Sequence, residues 1–330
     1  MRGCARSMRA VALRQVELNG PQLSVSAIGF GCAALMRSPS RKERMAVLAS
    51  AMAGGITHFD IARMYGLGRA EAELGAFLRT VDRDSVTIAT KFGIDVGGAA
   101  RRLARFQSPA RALLRKAPAL RRTVKRRQAP SAAVRLYDAA GAARSLDQSL
   151  AALGVDYVDI LFVHAPRPGD TVAGDELREF FERARRQGKI RAWGVSQDEG
   201  LDADFSEAFA PEGVNQLRSD LLDPAPRTAD LAFGVLSGPY RKVSAALRAD
   251  PVLARRWREA LQTDPLAPGV LATLILGSSA TATGCRAILY SSTRPHRVAA
   301  AASAVSSPPD AETVTRFLAL VKEFREGSAA

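Results

Sequence analysis

The sequence predicts a (β/α)₈ barrel preceded by an N-terminal β-hairpin and interrupted by a long basic insertion after the third strand. Three observations lead there. Short β-branched runs alternate with helical stretches about eight times, the pattern of a parallel sheet. The run from Tyr157 to Val163 is almost continuously apolar, as expected of a parallel strand buried on both faces. The chain has 330 residues, 47% of them hydrophobic, enough for one large core. Alternation alone leaves a doubly wound open sheet in play. The lack of a Gly-x-Gly-x-x-Gly between a strand and a helix counts against it. One domain spanning 1–330 is expected, with residues 1–10 disordered and 95–138 forming the basic insertion.

The elements follow in order. Val11–Leu18 and Leu23–Ser26 read as a hairpin, with Asn19-Gly20 suited to a two-residue turn because both central positions need positive φ. Ala27–Phe30 is a strand ending in Gly31. Arg41–Ala53 is a helix, apolar at Met45, Leu48, Ala49 and Met52, that stops at Gly54-Gly55. Ile56–Asp60 is a strand, Arg69–Leu78 a helix and Val86–Thr90 a strand. After the insertion come a helix from about Ala139 to Leu153 and the Tyr157–Val163 strand. Asp175–Gln187 is a helix closed by Gly188. Ile190–Val195 and Gly213–Gln216 are strands. Pro224 and Pro226 leave little room for a helix before the next strand, Thr228–Phe233, which is kept because a missing strand would open the barrel. Arg286–Tyr290 is the last strand, and Pro295–Val305 and Asp310–Glu326 are the closing helices.

Charge and cysteine content narrow the function classes. Of the net charge of +14, a net +11 lies between Asp95 and Arg144, where thirteen Lys/Arg face two Asp. That stretch holds only Phe106 and Tyr137 as aromatic residues, too few for a stacking surface, so a solvated excursion is expected and no nucleic-acid partner. Helical patches are expected at Ala99–Phe106 and Ala110–Arg115. No apolar run reaches 18 residues and the basic start lacks an apolar centre, so neither a membrane span nor a secretory signal is expected. Cys4, Cys32 and Cys285 follow no metal or disulfide spacing and are expected to be reduced thiols in a cytoplasmic protein. With only three histidines, no metal site is expected.

Reactive residues of such barrels lie at the C-terminal ends of strands. Asp60, Lys91 and His164 end the second, third and fourth strands, and Tyr65 follows Asp60. Reduction of a carbonyl creates an alkoxide that must be protonated. A tyrosine can give that proton, and a nearby ammonium is expected to lower its pKa. A carboxylate holds the lysine charged, and a neutral histidine holds the carbonyl oxygen. Tyr65 is thus the acid, Lys91 the tuner, Asp60 the anchor and His164 the orienter. Each alone has a bland reading: a turn cap, a packing ring, a surface charge, a core histidine. The weight lies in the four together on consecutive strand ends.

The chain resembles the aldo-keto reductase family along nearly its whole length. The stretches that carry the resemblance are Ile28-Gly29-Phe30-Gly31, Gly55-Ile56-Thr57-His58-Phe59-Asp60 with Tyr65-Gly66, Thr90-Lys91, and Leu153–Asp159 leading to His164. Gly188–Ser196, Asn215-Gln216 and Phe233–Gly238 continue it. The family's catalytic tetrad matches Asp60, Tyr65, Lys91 and His164. The resemblance implies NADPH as cofactor, with NADH as a second possibility, and a small-molecule carbonyl substrate; oligomeric state stays open. It also implies that Ser196 and Gln216 hold the nicotinamide carboxamide and that Leu236 and Ser237 contact the cofactor. Keeping the seventh strand puts Phe233 in the position that stacks on the ring; the alternative alignment, which loses that strand, puts Arg227 or Thr228 there. Ser292, Arg294 and Arg297 would recognise the 2′-phosphate. Departures are Gln197 where the family has Asn, and Ala300-Ala301 where it often has Glu-Asn, which weakens the grip on adenine. His58 and Trp193 are read as packing residues. The rival reading is a non-catalytic, cofactor-binding barrel that serves as a regulatory or partner-binding subunit.

Overall fold

The computed structural model describes residues 13–19, 23–95, 134–167, 170, 172–197, 213–225, 228–282 and 284–329. The hairpin pairs Gln15–Glu17 (β1) with Ser24–Ser26 (β2), Val16 opposite Val25. Leu18 N–H donates to Leu23 O at 3.0 Å, and the turn expected at Asn19-Gly20 lies partly outside the described residues. Asn19 is engaged elsewhere. Its N–H donates to Asp230 Oδ1 at 2.8 Å and its side-chain oxygen accepts from Arg286 Nη2 at 2.6 Å.

Ile28–Gly31 (β3), His58–Asp60 (β4) and Thr87–Phe92 (β5) begin the barrel. Ile94–Asp95 (β6) and Val134–Arg135 (β7) then pair antiparallel as a stem from which the basic segment leaves and to which it returns. Val158–His164 (β8), Ile190–Gln197 (β9), Val214–Arg218 (β10), Ala229–Phe233 (β11) and Cys285–Tyr290 (β12) complete a closed ring of eight parallel strands. β10 and β11 are direct neighbours, Gln216 opposite Leu231, so the seventh barrel strand is present although no helix precedes it among the described residues. The expected patches at Ala99–Phe106 and Ala110–Arg115 lie outside the described residues, as do Cys4 and residues 1–10.

Helices Arg41–Ala53 (α1), Ala70–Leu78 (α2), Ala139–Leu153 (α3) and Gly174–Arg186 (α4) surround the first half. Local chemistry fixes their ends. Ser40 Oγ accepts from Glu43 N–H at 3.2 Å while Glu43 Oε2 accepts from Ser40 N–H at 3.1 Å, a reciprocal cap that starts α1. Asp138 accepts from Gly141 N–H at 2.5 Å to start α3. Three further helices that the sequence reading did not foresee follow β11: Ser237–Ala249 (α5), Pro251–Leu261 (α6) and Val270–Ala282 (α7). Pro295–Ser306 (α8) and Ala311–Ala329 (α9) close the chain.

The two-residue period of the strands sorts their side chains. In β8, Leu161 and Val163 pack outward in the cluster that also holds Leu74 and Leu146, while Ile160 and Phe162 point into the barrel with Ala89, Ala192, Val214, Leu231 and Leu289. The hairpin residues Val16, Leu18, Leu23 and Val25 share that interior cluster and plug its N-terminal end. Alternation then carries His164 inward at the other end, in phase with Ile160 and Phe162. Lys91 follows Ala89 in the same way, and Gln216 follows Val214. A third cluster, around Trp257, Leu274 and Phe317, joins α5, α6, α7 and α9. Trp193 lies flat against Phe181 of α4 at 5.5 Å, which makes it a packing residue of the outer face.

Candidate active site

A cleft of about 530 Å³ opens at the C-terminal ends of the strands. Asp60, Tyr65, His164, Ser196, Gln216, Phe233, Leu236, Ser237, Ser292 and Arg297 all line it. Lys91 lies behind this wall, 1% exposed. Its Nζ donates to both Asp60 oxygens at 2.6 Å and to Ile61 O at 3.1 Å. Of the residues expected to contact the cofactor, Arg294 alone is off the cleft wall. It precedes α8, is exposed, and its N–H donates to Ser292 Oγ at 3.2 Å.

The network extends toward the expected nicotinamide contacts. Gln216 Nε2 donates to Asp60 Oδ1 at 2.8 Å, and Ser196 Oγ donates to Gln216 Oε1 at 2.5 Å. Ser196 and Gln216 are therefore tied to the Asp60–Lys91 pair.

Tyr65 comes from the loop after β4. Arg63 in that loop pairs with buried Glu71 at 2.5 Å and donates to Gln148 Oε1 at 2.9 Å, while Thr90 Oγ1 donates to Glu71 Oε1 at 2.8 Å. These bonds tie the loop to α2, α3 and β5. Gly66 follows at φ +59 against Met36, where a Cβ has no room. The Tyr65 ring stands edge-on to His164 with centroids 5.9 Å apart, and Lys91 Nζ lies 5.4 Å from its centre.

Electrostatics modify the expected roles. Burial lifts the Tyr65 phenol above its ordinary pKa; the Lys91 ammonium pulls the other way and does not offset it. The expected net lowering of Tyr65 is thus corrected: the phenol keeps its proton at neutral pH. For Lys91, burial acts to lower the pKa, but the Asp60 carboxylate and the Tyr65 hydroxyl together outweigh it and hold the ammonium above its usual range. Burial, then Lys91 and Arg135, hold His164 well below its ordinary value, so its ring is neutral. Its Nδ1 is sealed without a partner, which leaves Nε2 as the nitrogen for the cleft.

His58 is fully buried below this layer, its Nδ1 2.9 Å from Thr87 Oγ1, which places it in the packing role expected of it. Burial depresses its pKa to about 4. The unfolded chain therefore binds the proton first as pH falls. Stability present above pH ~6.5 is lost between there and pH 4, amounting to about 3 kcal/mol. Urea midpoints measured from pH 7.5 to 4.5 are expected to fall over this window, and to fall less steeply in His58→Leu. Equal slopes in the two proteins would contradict this reading of His58.

Gly31, Ala165 and Ser291 also line the cleft, and no local sequence pattern marks Ala165 as a cleft residue. Neither Cys32 nor Cys285 takes part in a disulfide among the described residues. Among the described residues no acidic, histidine or cysteine group is arranged to hold a metal, and no helix is long and apolar enough to cross a membrane.

Comparison with known proteins agrees with this geometry. The model of the "Aldo/keto reductase family" matches residues 27–205, more than half of the chain. A D-threo-aldose 1-dehydrogenase from Pseudomonas sp. is 31% identical over 224 residues, covering 66% of this chain and 58% of that protein. The chain spans less than two thirds of the first curated relatives it matches. Among solved structures, a Bacillus halodurans aldo-keto reductase in its holo form superposes with TM-score 0.67 at 19% identity, covering 93% of this chain and 96% of that one. A Klebsiella pneumoniae aldo-keto reductase solved with NADPH gives TM-score 0.59 at 18% identity, covering 92% and 94%. With the barrel, the strand-end residues and the family match in agreement, this chain belongs to the aldo/keto reductase family.

Proposed function

We propose that the chain reduces an aldehyde or ketone to the alcohol with NADPH, using Tyr65 as proton donor and Asp60, Lys91 and His164 in support. The observation that carries this reading is the convergence of Asp60, Tyr65 and His164 on one cleft, with Lys91 bonded to Asp60 just behind it and Gln216 linking Asp60 to Ser196. The cleft suits a dinucleotide. It runs from Asp60 and Tyr65 to Ser292 and Arg297, and α5 and α8 both begin beside it without a side-chain cap, leaving N–H groups for phosphate oxygens. Ser196 and Gln216 would hold the carboxamide, Phe233 the ring face, Leu236 and Ser237 the central phosphates, and Ser292 and Arg297 the 2′-phosphate. The neighbour solved with NADPH supports that choice of cofactor.

When bound, the reduced nicotinamide supplies the hydride that reaches the carbonyl carbon. His164 Nε2–H donates to the carbonyl oxygen and sets its position; a neutral ring is required, and its surroundings keep it neutral. As charge builds on that oxygen, the Tyr65 hydroxyl gives up its proton. The Lys91 ammonium beside it stabilises the phenolate that results, and Asp60 keeps Lys91 charged and aimed.

A panel of aldehydes and ketones followed at 340 nm with NADPH and with NADH tests the proposal. Oxidation of NADPH by at least one carbonyl is expected; none across the panel would contradict it. Arg297→Ala is expected to weaken NADPH binding about tenfold or more and NADH little, because only NADPH offers a phosphate to the guanidinium. Equal loss for both cofactors would make Arg297 structural.

A further inference from the structure

The arm by which the basic segment rejoins the barrel runs directly to the turn that ends β8. Ala165, next to His164, has φ +45, a left-handed conformation that an L side chain adopts only where the surroundings over-determine it. The surroundings here are specific. Ala165 N–H donates to Ser196 O at 2.7 Å. The Arg135 guanidinium donates through Nη2 to Ala165 O. The Tyr137 hydroxyl donates to His164 O at 2.8 Å, with Ala165 O at 3.4 Å.

Both donors are themselves fixed. Arg135 Nε pairs with Asp170 at 3.0 Å, and Asp170 Oδ2 also accepts from Arg167 N–H at 2.7 Å. Tyr137 is buried, and its ring lies on Gly93, which at φ +105 has no room for a Cβ. Leu136 N–H donates to Gly93 O at 2.8 Å, and Tyr137 O accepts from Ala173 N–H at 3.2 Å. The stem thus grips the β8 turn from two sides.

We infer that Arg135 and Tyr137 are positioning residues for His164: they capture the carbonyls of the His164–Ala165 turn and so set where the imidazole holds a carbonyl substrate. The inference rests on the reductase reading above. The charged and titratable groups that face the ring are Tyr65 from the loop after β4, Lys91 from β5 and Arg135 from β7; Asp60 neutralises Lys91 and Asp170 pairs with Arg135. Burial and the two cations act together to keep the ring neutral, so Arg135 contributes charge as well as geometry.

The test uses Tyr137→Phe, Arg135→Met and Arg135→Lys in the full chain, with kinetics on 4-nitrobenzaldehyde and NMR of labelled histidine. The chain has three histidines, so His164 is assignable by one substitution. Tyr137→Phe and Arg135→Met are expected to raise KM for the aldehyde about tenfold, with the NADPH Kd within about twofold, because a misplaced orienting group costs substrate geometry and not cofactor contacts. Arg135→Met is expected to move the His164 titration upward while that of His58 stays. Arg135→Lys keeps the charge, and with it the low titration, but cannot bridge Ala165 O and Asp170, so its KM stays raised. A purely structural role would lower the active fraction and leave KM and the His164 signals in place, which would overturn the inference. If Arg135→Met does not fold, Tyr137→Phe decides by KM and His164 shifts. If the wild-type protein reduces no carbonyl, the reductase reading fails, and the His164 signals of the same variants still show whether the stem positions that ring.

Discussion

Tyr65→Phe is expected to lower carbonyl reduction by about 10²–10⁴-fold while NADPH still binds. The substitution removes one oxygen and keeps the ring that stands edge-on to His164 and 5.4 Å from Lys91 Nζ. Packing and charge around the site therefore stay as they are, and the loss reports the proton alone. Lys91 is held by Asp60 and Ile61 O, so it is not free to take over as donor. The check is kcat with 4-nitrobenzaldehyde alongside a fluorescence titration of NADPH. Activity within tenfold of wild type would assign the proton to another group.

Asp60→Ala is expected to cost about 3–5 kcal/mol of stability, because it strands a buried ammonium. Lys91 is 1% exposed, and Gln216 Nε2 loses its acceptor in the same step. The pH dependence gives a sharper signature. In the wild type the folded Lys91 pKa is raised, so the stability of the pair is fully present below the unfolded lysine value of ~10.4 and is lost only as pH rises through the folded one. Without Asp60, burial prevails and depresses the lysine. The unfolded state then binds the extra proton, and stability grows as pH rises toward 10. Urea unfolding at pH 7 and pH 9.5 checks the sign. A variant whose midpoint does not rise between these values would contradict the account of the pair.

Much of the barrel was legible because its strands are short and repetitive. The apolar run ending at His164 marks β8, and the two-residue alternation that sends Ile160 and Phe162 inward also sends His164 to the cleft. Gly54 marks the end of α1. Helices α5 to α7 were not legible. Gly238, Pro239 and Pro251 break the pattern, and α7 is apolar around most of its circumference, so no one-sided periodicity marks it. The bond from Gln216 to Asp60 spans 156 residues, and that from Tyr137 to the His164 carbonyl spans 27. Neither follows from local pattern, since each depends on strand register and barrel closure. The sign of the Tyr65 shift likewise depended on how densely protein surrounds the phenol, which no local spacing records.

The most direct test of the central claim follows the transferred hydrogen itself. The protein is incubated with 4-nitrobenzaldehyde and NADPH carrying deuterium at both C4 positions, and the product is weighed by mass spectrometry. The account predicts 4-nitrobenzyl alcohol with one deuterium on its carbinol carbon, formed in step with NADPH consumed, and none with Tyr65→Phe on the same timescale. NADPH that binds but is not consumed by this or any other carbonyl would contradict the account and leave a cofactor-binding barrel without catalysis.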